Sequence, residues 1–163
     1  SKNNIVTGSS SGQEISDIKI PKKFFMDYSQ TQAKEGVKNI KNLSEFLKLR
    51  KENAVIYTDF LKNHKKTYVK EDLFANHSFL KYPIFVKNRK RFFELARKHK
   101  IELGDWFNSP IHPIQNNFEK WGMFPEKYPI ANFASKHVVN IPCDTKNIEK
   151  ILSFLEKYLN EII

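Results

Sequence analysis

The residue types best placed to do chemistry lie in one run, Gly104-Asp105-Trp106-Phe107-Asn108-Ser109-Pro110-Ile111-His112-Pro113. An aromatic pair followed by a loop that prolines hold can wall a pocket, because a fixed backbone has little freedom left to lose when a ligand arrives. Trp106 and His112 are therefore the candidate substrate-pocket residues. The plainer alternative puts Trp106 and Phe107 in the core and His112 on the surface, hydrogen-bonded to a neighbour. Ser109 and His112 do not make a hydrolase motif, since neither strand-turn-helix glycines nor an orienting acid accompanies them.

Other chemistries lack their signatures. The five glycines, Gly8, Gly12, Gly36, Gly104 and Gly122, are too dispersed for a dinucleotide or triphosphate loop. The five histidines, His64, His77, His99, His112 and His137, have no HExxH-type spacing, and a single cysteine excludes both a disulfide framework and cysteine-paired zinc. No metal site is expected. Cys143 sits between a strand and a helix, where a helix dipole could lower its pKa; the other possibility is a small buried filler beside Pro142.

Composition narrows the class. Apolar residues make up 40% and aromatics 13% of the 163 residues, enough for a real core in one domain or one domain plus an appendage. The net charge is +10, yet only four of the 28 basic residues are arginine (Arg50, Arg89, Arg91 and Arg97). Arginine is the favoured base-edge and bidentate phosphate reader, so scattered lysine is expected to be solvated surface and no nucleic-acid partner is expected. No stretch nears the ~20 apolar residues of a membrane span, and 1–13 is polar without the apolar core of a secretion signal. A cytoplasmic protein without a membrane partner is the expectation.

The elements that must position these residues follow from periodicity. Residues 1–21 hold the polar run Thr7-Gly8-Ser9-Ser10-Ser11-Gly12 and a short apolar flicker at Ile15, Ile18 and Ile20, and are expected to be flexible or an edge segment. Residues 22–64 are expected to carry one long helix from about Ser29 to Asn63. Its face is marked by Ala33, Gly36, Val37, Ile40, Leu43, Leu47, Ala54, Tyr57 and Leu61, with Lys34, Lys38, Lys41, Glu45, Lys48 and Glu52 opposite. At 1.5 Å per residue that helix is a rod of roughly 50 Å, longer than so small a domain needs, which implies a spacer or a partner.

Residues 65–163 are expected to form a small α/β domain. Extended structure is expected over Leu73 to Val86, strongest from Phe79, with Pro83 marking an edge or gap in the ladder. Asn88 should cap a helix from Arg89 to Lys100, and Ile101 to Phe107 should be the next strand. Pro129 opens a short helix through Ser135, Val138 to Ile141 is a strand stopped by Pro142, and Asp144 or Thr145 caps a final helix carrying Ile148, Ile151, Leu152, Leu155 and Leu159. The fold class is α/β of the α+β type, with helices covering one face of a mainly antiparallel sheet.

Four stretches, taken in order, resemble the carboxy-terminal part of the DegT/StrS-type sugar aminotransferases. They are Ser29-Gln30-Thr31-Gln32-Ala33 with Gly36, Leu43 through Arg50, Asn53-Ala54 and Tyr57; Tyr82-Pro83-Ile84-Phe85-Val86 with Asn88-Arg89; Ile101 to Pro113 with its P-x-H-type loop; and Phe124-Pro125 through Pro129-Ile130-Ala131 to Val139-Asn140-Ile141-Pro142. The resemblance spans about Lys22 to Ile163. It implies the small domain of a fold-type I enzyme dependent on pyridoxal phosphate, active on nucleotide-linked keto sugars for polysaccharide or amino-sugar biosynthesis, with glutamate as amino donor and a homodimer as the working form.

The resemblance also implies a division of labour. In the family a lysine holds the coenzyme as a Schiff base and an acidic residue meets its pyridine nitrogen, both in a large domain upstream. Asn4-Ile5-Val6-Thr7 is similar to the strand just after that lysine. Hence no catalytic or cofactor-binding residue is assigned in this chain, pyridoxal phosphate is expected only with the large domain, and the chain alone is expected not to transaminate. Phe25 stands where many members carry a phosphate-contacting asparagine, and Asp105-Trp106 where others have histidine and tyrosine. A degenerate, non-catalytic assembly module that pairs through the long helix is the alternative.

Overall fold

The computed structural model describes residues 18, 25 and 27–163. The polar run at Thr7 to Gly12, the segment Asn4 to Thr7, and Ile15 and Ile20 lie outside the described residues, while Ile18 and Phe25 are both exposed.

The expected rod is two helices, α1 (Gln30–Lys41) and α2 (Leu43–Asn63). Ser29 opens α1 with a full capping box: its Oγ accepts from Gln32 N–H at 3.2 Å, and Gln32 Oε1 accepts from Ser29 N–H at 2.8 Å. The break comes at Asn42, which leaves the helical well at φ −100°, ψ 5° and sends its N–H to Asn39 C=O, one residue short of the α pattern. Asparagine is a weak helix former because its side chain competes for local backbone groups, and one such residue suffices where no packing holds the turn. Helix α1 buries none of its residues.

Helix α2 is different: Asn53, Ala54, Tyr57, Thr58 and Leu61 are buried. It ends in a Schellman-type closure, with Lys66 N–H on Leu61 C=O at 2.8 Å and Lys65 in the left-handed region at φ 55°. Lys100 plays the same part at φ 53° after α3 (Arg89–Lys98), whose cap is Asn88 as expected, its side chain accepting from Arg91 N–H.

Strands β1 (Lys81–Phe85) and β2 (Val138–Pro142) pair antiparallel, Tyr82 opposite Ile141 and Ile84 opposite Val139. Those four side chains share one face. A short helix, α4 (Pro129–His137), leads into β2, and Ala54, Tyr57 and Leu61 of α2, Phe92 and Ala96 of α3, and Ile151, Phe154 and Leu155 of α5 (Ile148–Lys157) complete a single core with the strands. Tyr57 meets Tyr82 edge-on at 5.6 Å and Phe92 meets Phe154 at 5.2 Å, so each helix touches a strand or another helix through an aromatic ring. The result is a mixed α/β domain with an antiparallel sheet.

Two expectations about strands are corrected. Ile101 to Phe107 is not a strand: Gly104 alone bridges to Asn140, with Gly104 N–H on Asn140 C=O at 2.7 Å. Leu73 to Val86 is extended only at its end, after a short 3-10 turn at Glu71–Leu73. A second single bridge joins Val86 to Ile162, and Ile163 N–H reaches Phe85 C=O at 2.9 Å. The layer thus runs Ile162, β1, β2, Gly104, with two single bridges flanking two regular strands. Asn140 is opposite Pro83 but gives both its backbone groups to Gly104, so Pro83, which has no N–H, occupies a position that needs none from β2. The last helix is capped by Asn147, not Asp144 or Thr145: Asn147 Oδ1 accepts from Lys150 N–H at 3.2 Å, and the Thr145 hydroxyl instead braces Asn147 N–H at 3.0 Å.

The turn after β2 is tied to α2. Asn53 Nδ2 donates to the carbonyls of Cys143 and Thr145, both at 2.8 Å, and Tyr57 OH donates to Pro142 C=O at 2.9 Å. Replacing Asn53 by alanine leaves two carbonyls without their donor and is expected to cost about 2–3 kcal/mol, against about 1 kcal/mol for Tyr57→Phe. Urea unfolding of the two variants measures both, and equal or negligible losses would contradict the assignment.

Candidate functional site

Two side chains hold the segment that leads into the Trp106 to His112 loop. Arg89, at the first turn of α3, donates through Nε to Val138 C=O at 2.7 Å, pairs with Asp105, and lies 5.2 Å from the Phe93 ring. Its side chain is only 17% exposed, so this bond set works in partly dehydrated surroundings where charge-assisted hydrogen bonds are strong. Asn140 on β2, itself buried, donates from Nδ2 to Trp106 C=O at 3.1 Å. Gly104 sits between them in a tight place: a Cβ there would stand 3.1 Å from the Asn140 Cβ, which would have to give by a few tenths of an ångström. Neither Arg89 nor Asn140 was singled out by sequence, since each acts through partners distant along the chain.

Beyond this clamp the chain turns sharply. Phe107 takes a left-handed conformation at φ 62° with its ring 57% exposed, a costly choice for a bulky residue. His112 is exposed, its ring 5.9 Å from Phe107, and its Nδ1 lies 2.9 Å from Asn108 Oδ1. A carbonyl oxygen only accepts, so Nδ1 must donate. In the neutral ring that tautomer leaves Nε2 as the acceptor, with no hydrogen-bond partner among the described residues. Trp106 keeps 42% of its surface exposed. The core placement weighed for Trp106 and Phe107 therefore does not hold, whereas the neighbour bond weighed for His112 does. Ser109 is buried with an unpartnered Oγ, and the His112–Pro113 peptide is cis.

The remaining nucleophiles are quiet. Burial, with the Asp144 charge adding to it, pushes the Cys143 thiol up to about 12, the reverse of activation; Cys143 is a packed filler on the inner face. Tyr57 and Tyr82 are likewise raised, chiefly by burial. No described lysine is buried, and Lys62 is raised because it hydrogen-bonds Glu71. Among the described residues no cluster of three or more His, Cys, Asp or Glu is placed to hold a metal, and no helix is long and apolar enough to cross a membrane.

The DegT/DnrJ/EryC1/StrS aminotransferase family matches the chain over residues 19–151. The chain belongs to that family. No curated protein and no solved structure gives a significant match. The match takes in both helices of the rod, the sheet, the Arg89 and Asn140 clamp and the whole Trp106 to His112 loop.

The family is in general dependent on pyridoxal phosphate, and the described residues do not fit that coenzyme. Holding it needs an enclosed lysine amine of lowered pKa, a carboxylate for the pyridine nitrogen and a cradle of backbone amides for the phosphate. Every described lysine reaches solvent, and Gly36, Gly104 and Gly122 stand apart on separate elements.

Arg89→Met should free Asp105 and leave Val138 C=O without its side-chain donor, destabilising the domain by about 2 kcal/mol. Hydrogen exchange should quicken first at residues 104–108, and uniform quickening over all elements would count against a local clamp. The Cys143 thiol is protonated in the native and unfolded states alike below pH 9. Above it only the unfolded thiol, with a reference value of 9.0, ionises until the native one follows near 12. Stability should therefore fall as pH rises through that window, Tyr57 adding to the fall from about pH 10, and Cys143→Ala should remove the part that begins first. A urea midpoint series read against pH checks it.

Proposed function

We propose that this chain is the small, cleft-closing part of a pyridoxal phosphate-dependent aminotransferase for nucleotide-linked keto sugars, catalytically incomplete without a large domain. The observation that carries the reading is the clamped loop. Arg89 and Asn140 hold the chain at Asp105 and Trp106, Phe107 is kept in a strained backbone state, and His112 stands exposed beside Asn108 with Nε2 unpartnered among the described residues. Strained residues persist where surrounding contacts over-determine them, which is the usual condition of ligand-contacting loops.

In this reading Trp106 offers a flat apolar face to a sugar ring, and His112 accepts a hydrogen bond from a sugar hydroxyl at Nε2. Closure of the domain excludes water from the reacting centre. The coenzyme, when bound in the large domain, supplies the electron sink. The working form is a cytoplasmic homodimer, with glutamate as amino donor. A second reading, a non-catalytic assembly module, is favoured by one observation: α1 buries nothing and leaves its apolar residues exposed.

In a protein that joins this chain to a large domain with the lysine, His112→Ala and Trp106→Ala should each lower kcat/KM for the keto sugar by about 10- to 100-fold while the coenzyme absorbance is retained. Unchanged rates in both variants would remove the loop from the site. Absence of any activity in the joined protein would favour the assembly module. Pyridoxal phosphate mixed with the chain alone should label surface lysines diffusely, and one lysine fixed stoichiometrically by borohydride would overturn the proposal.

A further inference from the structure

The His112 ring has one hydrogen-bond partner among the described residues, the Asn108 side chain, whose Oδ1 lies 2.9 Å from Nδ1. The loop brings the two together without a helix. Ile114 N–H closes a turn on Ile111 C=O at 3.1 Å with His112 and Pro113 at its corner, and buried Ser109 and Ile114 pin the chain on either side of the exposed ring. Phe107, left-handed immediately before Asn108, sets its own ring 5.9 Å from the imidazole at 59° and so bounds it on a second side.

As a brace for the fold the Asn108 bond does little, since His112 is exposed and water would replace most of what the bond returns. What water cannot supply is a choice between the ring nitrogens. It donates and accepts alike, and lets a neutral imidazole exchange its proton between them. An amide oxygen only accepts, so it holds the proton on Nδ1 and leaves the lone pair on Nε2. The amide also orients the ring without charging it. A carboxylate at the same place would favour the imidazolium, in which both nitrogens donate and Nε2 accepts nothing. No carboxylate among the described residues stands within ion-pair distance of His112, and Asp105, the acidic residue of the same loop, is held by Arg89.

We propose that Asn108 is a positioning residue for ligand recognition: its amide oxygen fixes the Nδ1–H tautomer of His112, so that Nε2 selects a ligand group that donates a hydrogen bond and turns away one that only accepts. The inference rests on the sugar-binding reading of the loop and sharpens it. A sugar hydroxyl or amine has a proton for Nε2. A diphosphate or a carboxylate has none and would set lone pair against lone pair, so the sugar ring of a nucleotide-linked substrate faces His112 and its diphosphate lies elsewhere.

Long-range proton–nitrogen correlation spectra of the isotope-labelled full chain read the ring directly. At about pH 8.5, where an ordinary imidazole is neutral, they distinguish a protonated from a bare ring nitrogen, and His112→Gln identifies the signals. Native His112 should show a protonated Nδ1 and a bare Nε2. Asn108→Ala should move the tautomer ratio toward Nε2–H by about tenfold with Tm unchanged, and Asn108→Asp, whose carboxylate also only accepts, should keep Nδ1 protonated. A native ring protonated chiefly on Nε2, or a ratio that Asn108→Ala leaves in place, would overturn the proposal whether or not the loop binds a sugar. In the joined protein Asn108→Ala should raise KM for the keto sugar about tenfold at unchanged kcat. An unchanged KM beside an impaired His112→Ala would overturn the role of Asn108 alone, and unchanged rates in both variants would overturn it together with the sugar reading.

Discussion

After β2 the backbone turns into the interior, and the carbonyls of Pro142, Cys143 and Thr145 must find donors away from bulk water. All three find them on α2, in Asn53 and Tyr57. Buried peptide groups are almost always paired because the alternative costs about as much as the bond would return. This pairing fixes more than a turn. It sets the rotation of α2 about its axis, and with 3.6 residues per turn that choice places Ala54, Tyr57 and Leu61 over the strands. It also determines which side Phe46 and Arg50 present farther up the helix. A helix read from sequence as a rod is, in its second half, a wall of the core.

The same strand serves the other side of the domain through Asn140. Its backbone pairs with Gly104 and its side chain with the Trp106 carbonyl, while Arg89 reaches across from α3 to the neighbouring Val138 carbonyl and Asp105. The Trp106 to His112 loop is thus anchored to the centre of the sheet. Two polar clamps at successive parts of β2, one toward α2 and one toward the loop, make the rod and the loop parts of one body. Any movement that closes this domain over a large domain would carry Trp106 and His112 with it, without separate ordering of the loop.

The division between surface and interior also sets the state of the chain's titratable side chains. Its cysteine and two of its tyrosines are buried, which holds their protons on. The lysines among the described residues all reach solvent. Family membership covers these elements over residues 19–151.

Sequence determined the parts whose physics is local. The cap Asn88, the amphipathic phases of α2, α3 and α5, the gap in the ladder at Pro83 and the placement of Trp106 and His112 on a constrained loop depend on residues within a turn or two of one another. Tertiary structure decided the rest. The rod breaks at Asn42 because no packing supports that turn, and Ile101 to Phe107 stays irregular because only Gly104 comes close enough to β2 to pair. Asn147 rather than Asp144 or Thr145 caps α5, since the preceding turn is already fixed by Asn53. Arg89 and Asn140 owe their roles to groups 16 to 49 residues away. Periodicity along a chain records which face a side chain takes; it carries no record of which distant carbonyl or carboxylate that face will meet.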